Sequence, residues 1–254
     1  MKVGAAHIQA FALAGVQPGL ARGLFWSTVG AKGNPMKKIF LIVFLAAGAV
    51  GLFAQDIVLS APPAKLGVDV LDAIRLRAAA RAFVTKDLAV ADLSAIVWAG
   101  NGSKGTPDAI SSASKAGRTI PVSGDVDYIN LYVLTSKGVY LYVPESNLLK
   151  QLSAADVRSQ VTPETIANAP LMVLFTVDPS KLPSFVKAGT PGARELAIGT
   201  ASYGAQNLAL VAACLKLSSI VMYNMSATAA GAAKLGKDEV PLFIMQLGYT
   251  QERG

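Results

Sequence analysis

Apolar positions recur along the chain with two different periods. Val68, Leu71, Ile74 and Ala78 fall three and four apart, which predicts a helix from residue 67 to about 81 with this set as its buried face. Leu93, Ile96 and Val97 repeat the spacing and predict a second helix over 91–98. Residues 128–135 are β-branched and aromatic, Ser136-Lys137-Gly138 supplies a turn, and 139–143 returns, which predicts a hairpin. Residues 171–177 form a continuous apolar run of strand length, as in a strand buried on both faces. From 192 to about 215 runs a long Ala- and Leu-rich helix, apolar over most of its circumference, as expected in a large core or a subunit interface. Strands follow at 219–223 and 241–247, with a small helix near 227–234. Two short helices are expected at about 153–159 and 163–168. Residues 55–66, with Pro62-Pro63, form an extended entry, and the Gly-, Ser-, Lys- and Pro-rich stretch 100–127 reads as a long loop. Helices and strands mix without a regular βαβ repeat, so the class is α+β.

Residues before 55 follow other rules. Met36-Lys37-Lys38 precedes an apolar run over 39–53, and Ala54-Gln55-Asp56 follows. A basic start, a short apolar stretch and a small residue describe a signal peptide over 36–54, cleaved near Ala54. The run is short for a membrane span, which takes about 20 apolar residues. A periplasmic or secreted protein over 55–254 is therefore expected, with an uncleaved membrane anchor as the alternative. Residues 1–35 contain no acid. Translation from Met36 would leave them an untranslated upstream extension; a genuine amphipathic extension is the other reading.

Charge and composition exclude more than they propose. The chain carries a formal charge of +7, but residues 1–54 hold five of its 23 basic residues and none of its 16 acids. Only 18 basic residues then face 16 acidic ones in the body, so nucleic-acid binding has little support. The single His, His7, lies outside that body. A Ser-His-Asp triad, a Cys-His pair and a His-ligated metal are thereby excluded from it. Cys214 is the only cysteine and cannot form an internal disulfide; its apolar helix predicts a buried, inert thiol.

Two motifs are decoys. Gly100-Asn-Gly-Ser-Lys-Gly105 has the spacing of a dinucleotide loop, but a helix precedes it and Thr106-Pro107-Asp108 follows, where the motif needs a strand and then a helix. Gly199-Thr-Ala-Ser202-Tyr-Gly204 resembles a nucleophile elbow with one residue too many, inside a helix and with no His to act as base.

Four stretches in order carry more. They are Arg75-Leu-Arg77-Ala-Ala-Ala-Arg81-Ala-Phe83, followed by Asp92 to Gly102; Gly117-Arg-Thr-Ile-Pro121-Val-Ser-Gly leading into the hairpin; Gly199 to Ser219 with Gln206-Asn207; and Pro241 to Gly248-Tyr249. This order resembles the FMN-dependent nitroreductase superfamily, closest to the small branch that includes the azoline (thiazole- and oxazole-forming) dehydrogenases. The resemblance spans nearly all of residues 65–250. It implies a central, mostly antiparallel sheet flanked by helices, a long buried helix at a homodimer interface, and FMN as cofactor. The family's pattern after the first helix, basic-basic-Ser-x-basic-x-Phe, falls on Arg77, Ala78, Ala79, Arg81 and Phe83. A phosphate carrying nearly two negative charges favours planar, bidentate Arg donors, and Arg77 and Arg81 would lie four apart on one helical face.

By the same resemblance, Pro121, Val122, Ser123 and Asp125 fall where a Pro-Ser-Ala segment lies along the flavin ring. Gln206 belongs to the long helix of the site. Val221 to Met225, with Met222, Tyr223 and Asn224 at its centre, falls where backbone amides approach the redox-active ring nitrogen. Arg253 is the remaining C-terminal cation. The chain departs from the pattern at Ala78, Ala79 and Val122, which replace a basic residue and two serines. The resemblance implies no catalytic acid or base and no metal, since the flavin does the redox chemistry while the protein positions it. The expected function is an exported, FMN-dependent oxidoreductase acting on a small planar substrate, with NAD(P)H doubtful as donor outside the cytoplasm. Two alternatives remain: a flavin-free binding protein of the same fold, and a membrane-tethered structural protein.

Overall fold

The computed structural model describes residues 55–105, 117–162 and 168–251. The leader at 1–54, most of the expected helix at 163–168, the middle of the 100–127 loop and Arg253 lie outside the described residues. In chain order the elements are β1 (Ile57–Val58), α1 (Val70–Leu76), α2 (Val90–Asn101), a 3-10 turn (Ser123–Asp125), β2 (Ile129–Thr135), β3 (Gly138–Val143), β4 (Leu148–Ser153), α3 (Arg158–Val161), β5 (Leu171–Val177), a second 3-10 turn (Pro179–Lys181), α4 (Pro191–Cys214), β6 (Ser218–Met222), α5 (Ala229–Ala232) and β7 (Val240–Gly248).

The strands form one sheet in the order β1-β4-β3-β2-β5-β7-β6, and every neighbouring pair is antiparallel. The α+β expectation and the hairpin hold. β5 is an interior strand between β2 and β7, and all seven of its residues are buried, as its unbroken apolar run requires. Alternation divides the sheet between two cores. Leu131, Val173, Phe175, Phe243 and Met245 face α2 and α4, while Leu134, Met172, Leu174 and Ile244 face Phe83, Val161 and α5. Each such side chain fully buried contributes about 1.5–3 kcal/mol.

α4 lies along the first face. Thr190 caps it, with its hydroxyl accepting from the Ala193 amide at 3.3 Å, and Pro191 opens its first turn. Its buried stripe consists mostly of small residues (Ala197, Ala201, Gly204, Ala205, Leu208, Ala212). They let α2 approach closely: a Cβ on Gly204 would stand 2.4 Å from the Gly100 carbonyl oxygen.

Four expectations are corrected. The first helix ends at Leu76, and Arg77 already has extended geometry (φ −59°, ψ 124°), so 77–81 is not helical. Within α1 the buried residue is Ala73, while Leu71 and Ile74 are exposed. Residues 148–153 form a strand, where only a helix beginning near 153 was expected; helix occurs at 158–161. Finally, Cys214 is half-buried rather than enclosed; partial burial still pushes its thiol up from its ordinary value.

Candidate functional site

β6 is an edge strand, and its outer side is where a site forms. The Ser219 amide points away from β7 and donates to the Ala78 carbonyl at 3.1 Å. That bond holds the non-helical segment after α1 alongside the edge. In an antiparallel ladder amides alternate between the two sides of a strand, so the Val221 amide, two residues on, points outward as well.

There it meets a cleft of about 350 Å³. Arg77 and Ala79 form one wall, and Ser202, Ala205, Gln206 and Ala209 from α4 form another. The spacing of these four puts them on one side of the helix. Ser219, Val221 and Tyr223 complete the rim, and Phe243 and Met245 line the interior. The Tyr223 ring stands edge-on to Phe243 at 5.6 Å, and Phe243 packs on Phe175 at 4.9 Å. A second cleft of about 580 Å³ lies beside the first and shares Ala79. It is lined by residues 78–84 with Ser218, Thr250 and Gln251.

The predicted residues are thus partly brought together. Arg77, Ala79, Gln206 and Tyr223 share the first cleft; Ala78, Ala79 and Arg81 share the second. The two arginines therefore stand on separate clefts, because the chain between them is extended rather than helical. Neither makes an ion pair among the described residues. Met222 is half-buried and packs against the core on the opposite sheet face, and Asn224 is exposed; neither lines a cleft.

Pro121, Val122 and Ser123 line neither cleft, and Asp125 closes the 3-10 turn beyond them. The turn lies beside Pro183: Gly124 has a φ of +71°, and a Cβ there would stand 2.9 Å from the Pro183 side chain. The loop's first leg is tied to the helices. Thr119 Oγ1 donates to the Trp98 carbonyl at 3.0 Å and accepts from the Gly102 amide at 2.9 Å. Asn207 Nδ2 donates to the carbonyls of Ala99 and Thr119, both at 3.2 Å.

Sequence reasoning missed Ser202 and Ser219 as lining residues, while the resemblance had already placed Val221 in the segment of backbone amides. Ser202 had a signal in the small-residue spacing of the long helix. Which amide of that segment points outward was not legible, since strand order alone puts β6 at an edge. No group of His, Cys, Asp or Glu that could hold a metal ion occurs among the described residues, and no described helix is long and apolar enough to cross a membrane.

The two clefts have volumes within the usual range for small-molecule sites. Their linings offer unpaired guanidinium groups suited to an anion, an apolar floor with aromatic neighbours, and an outward amide at the rim.

No family model matches the sequence, and comparison with curated proteins finds no match. Solved structures do match. A protein of Ralstonia eutropha JMP134 classed as a nitroreductase is 26% identical, with a TM-score of 0.68 over 80% of this chain and 92% of its own. The NADPH:FMN oxidoreductase of Vibrio harveyi, complexed with NAD+, is 15% identical and shares the fold, with a TM-score of 0.51 over 72% of this chain and 70% of its own. The E. coli microcin synthetase McbBCD complex, with truncated pro-MccB17 bound, contains a chain of the same fold; it is 15% identical, with a TM-score of 0.55 over 90% of this chain and 86% of its own. By its seven-stranded antiparallel sheet flanked by helices and by these likenesses, the chain has the nitroreductase-like fold, and its structural neighbours are nitroreductase-family proteins.

Proposed function

We propose that the protein is an exported FMN-dependent oxidoreductase that passes electrons or hydride to or from a small planar substrate. The observation that carries this reading is the first cleft, which gathers Arg77, Ala79, Gln206 and Tyr223 beside the outward amide of Val221.

Bound FMN would supply the redox chemistry. Arg77 and Arg81 would hold the phosphate from either side of Ala79, as planar donors suited to its oxygens. The Val221 amide would donate to the ring edge where negative charge gathers on reduction, and so favour the reduced form without an acid-base side chain. That suits a body without His. Ala78 and Ala79 carry no phosphate-binding group, and each lost hydrogen bond costs about 0.5–1.5 kcal/mol of affinity.

Pro121, Val122 and Ser123 lie away from the clefts of their own chain. A second copy would bring them to the flavin, and a homodimer is part of this reading. Val70, Leu71, Ile74 and Leu76 on α1, with Tyr203 on α4, are large apolar residues left exposed, as an interface requires. Export rests on the leader at 36–54 and puts NAD(P)H in doubt as the donor.

The test is an absorption spectrum of the protein purified with FMN and then desalted. Retained flavin bands support the reading. A colourless protein that FMN does not restore favours the flavin-free binding protein, for which Ala78, Ala79 and Val122 already speak.

A further inference from the structure

The segment 121–123 sits on a loop whose two ends are fastened to each other. An Arg118 terminal nitrogen lies 2.6 Å from Asp127 Oδ2, and the same nitrogen meets the Glu145 carboxylate beyond β3. Only 9% of the Arg118 side chain is exposed. Asn101, the last residue of α2, donates from Nδ2 to Asp127 Oδ1 at 3.1 Å and to the Ile129 carbonyl at 2.8 Å. The loop is thus closed by one guanidinium and seated on a helix terminus. That helix also holds Thr119, as described above. Buried ion pairs add little net stability, because desolvation offsets much of their attraction. Their effect lies in geometry: a planar guanidinium facing two carboxylates admits few arrangements.

We propose that Arg118 and Asp127 are positioning residues for the flavin, clasping the loop so that Pro121, Val122 and Ser123 meet the ring held by a second copy of the chain in one arrangement. The proposal rests on the FMN reading above. Without Arg118, Asp127 and Glu145 would face each other with no cation between them, and the loop's ends would part. Lysine keeps the charge but carries it on a flexible stem without the planar head, so it holds the two carboxylates less rigidly. Asparagine at 127 keeps the shape and loses the ion pair.

The test compares the full chain with Arg118→Lys and Asp127→Asn. Amide hydrogen exchange over 119–126 is followed without FMN, with α4 amides as internal control. FMN is then titrated by flavin fluorescence, and the midpoint potential of the bound flavin is measured. Arg118→Lys is the milder change and guards against a variant that fails to fold.

The expected result is faster exchange in the loop with α4 unchanged, FMN binding weaker by about tenfold, and a shifted potential, the scale on which a loosened supporting shell acts. Unchanged exchange in both variants would overturn the clasp, whatever FMN does. Faster exchange with unchanged affinity and potential would make the ion pair merely structural and overturn the positioning role. A wild-type chain that binds no FMN would remove the flavin reading and this role with it, and the exchange data would separate that failure from failure of the clasp.

Discussion

Gly204→Ala and Gly199→Ala alter the same helix by the same methyl group and are expected to have opposite effects. Alanine is favoured over glycine in a helix interior by about 0.8–1 kcal/mol, so helix propensity alone predicts stabilisation at both sites. At Gly199 nothing lies within 4 Å of the added Cβ, and the gain should appear nearly in full. At Gly204 the Cβ would lie 2.4 Å from the Gly100 carbonyl oxygen and 3.0 Å from the Phe175 ring. Backbone cannot rotate away as a side chain can, so α2 and α4 must separate by about 1 Å, and overpacking of this kind costs about 1–3 kcal/mol. Against fixed backbone the cost falls in the upper part of that range, about 2–3 kcal/mol, so net destabilisation of about 1–2 kcal/mol follows once the propensity gain is subtracted. For a domain of this size that lowers Tm by roughly 3–6 °C, while Gly199→Ala should raise it by about 2–3 °C. Thermal and urea unfolding followed by circular dichroism would measure both. Gly204→Ala as stable as wild type, or shifts of the same sign at both glycines, would refute the close-approach argument. The separation should also loosen the Asn207 bonds to Ala99 and Thr119, and so reach the loop that carries Pro121.

Arg77→Ala should weaken FMN binding about tenfold or more, the scale of a lost charge-assisted bond, and fluorescence titration would show it. Ala79→Ser returns a hydroxyl to the wall between the two clefts and should tighten FMN binding by about 1 kcal/mol, roughly fivefold; no change would place the phosphate elsewhere. Tyr128→Phe removes a buried bond of 2.6 Å to Thr200 and leaves that hydroxyl unpaired, with an expected loss of about 1–2 kcal/mol in urea unfolding. Burial holds the Asp127 carboxyl above its ordinary value, against the pull of Arg118. The folded state therefore keeps this proton to higher pH than the unfolded chain does. Its contribution to stability is full below the ordinary aspartate range and is lost as pH rises through the folded value. Asp127→Asn should flatten that decline when urea midpoints are compared from about pH 4 to about pH 7. Glu145, Asp156 and Asp178 are shifted the other way, and their contributions fade only at lower pH.

Local patterning sufficed where burial repeats over many residues. β5 could be read because Leu171 to Val177 is apolar without interruption, and α4 because 24 residues keep one composition. The order of Arg77, Gly117 to Gly124, Gln206-Asn207 and Gly248-Tyr249 along the chain was enough to anticipate the superfamily fold. β4 was not legible. Leu148-Leu149-Lys150-Gln151-Leu152-Ser153 has no β-branched residue, and its state is set by pairing with β3 and β1. The first helix was predicted too long for a related reason: the bond from the Ser219 amide to the Ala78 carbonyl favours extended chain where Ala78-Ala79-Ala80 would by itself favour helix. The extended chain there sets Arg81 apart from Arg77, and the two line separate clefts instead of one basic face. The Arg118–Asp127 clasp was equally out of reach, since a charge read from sequence has no partner until the fold supplies one. Periodicity is a property of neighbours along the chain, and it determined the elements. Strand order and long-range hydrogen bonds depend on which surfaces meet, and only the tertiary structure decided the site.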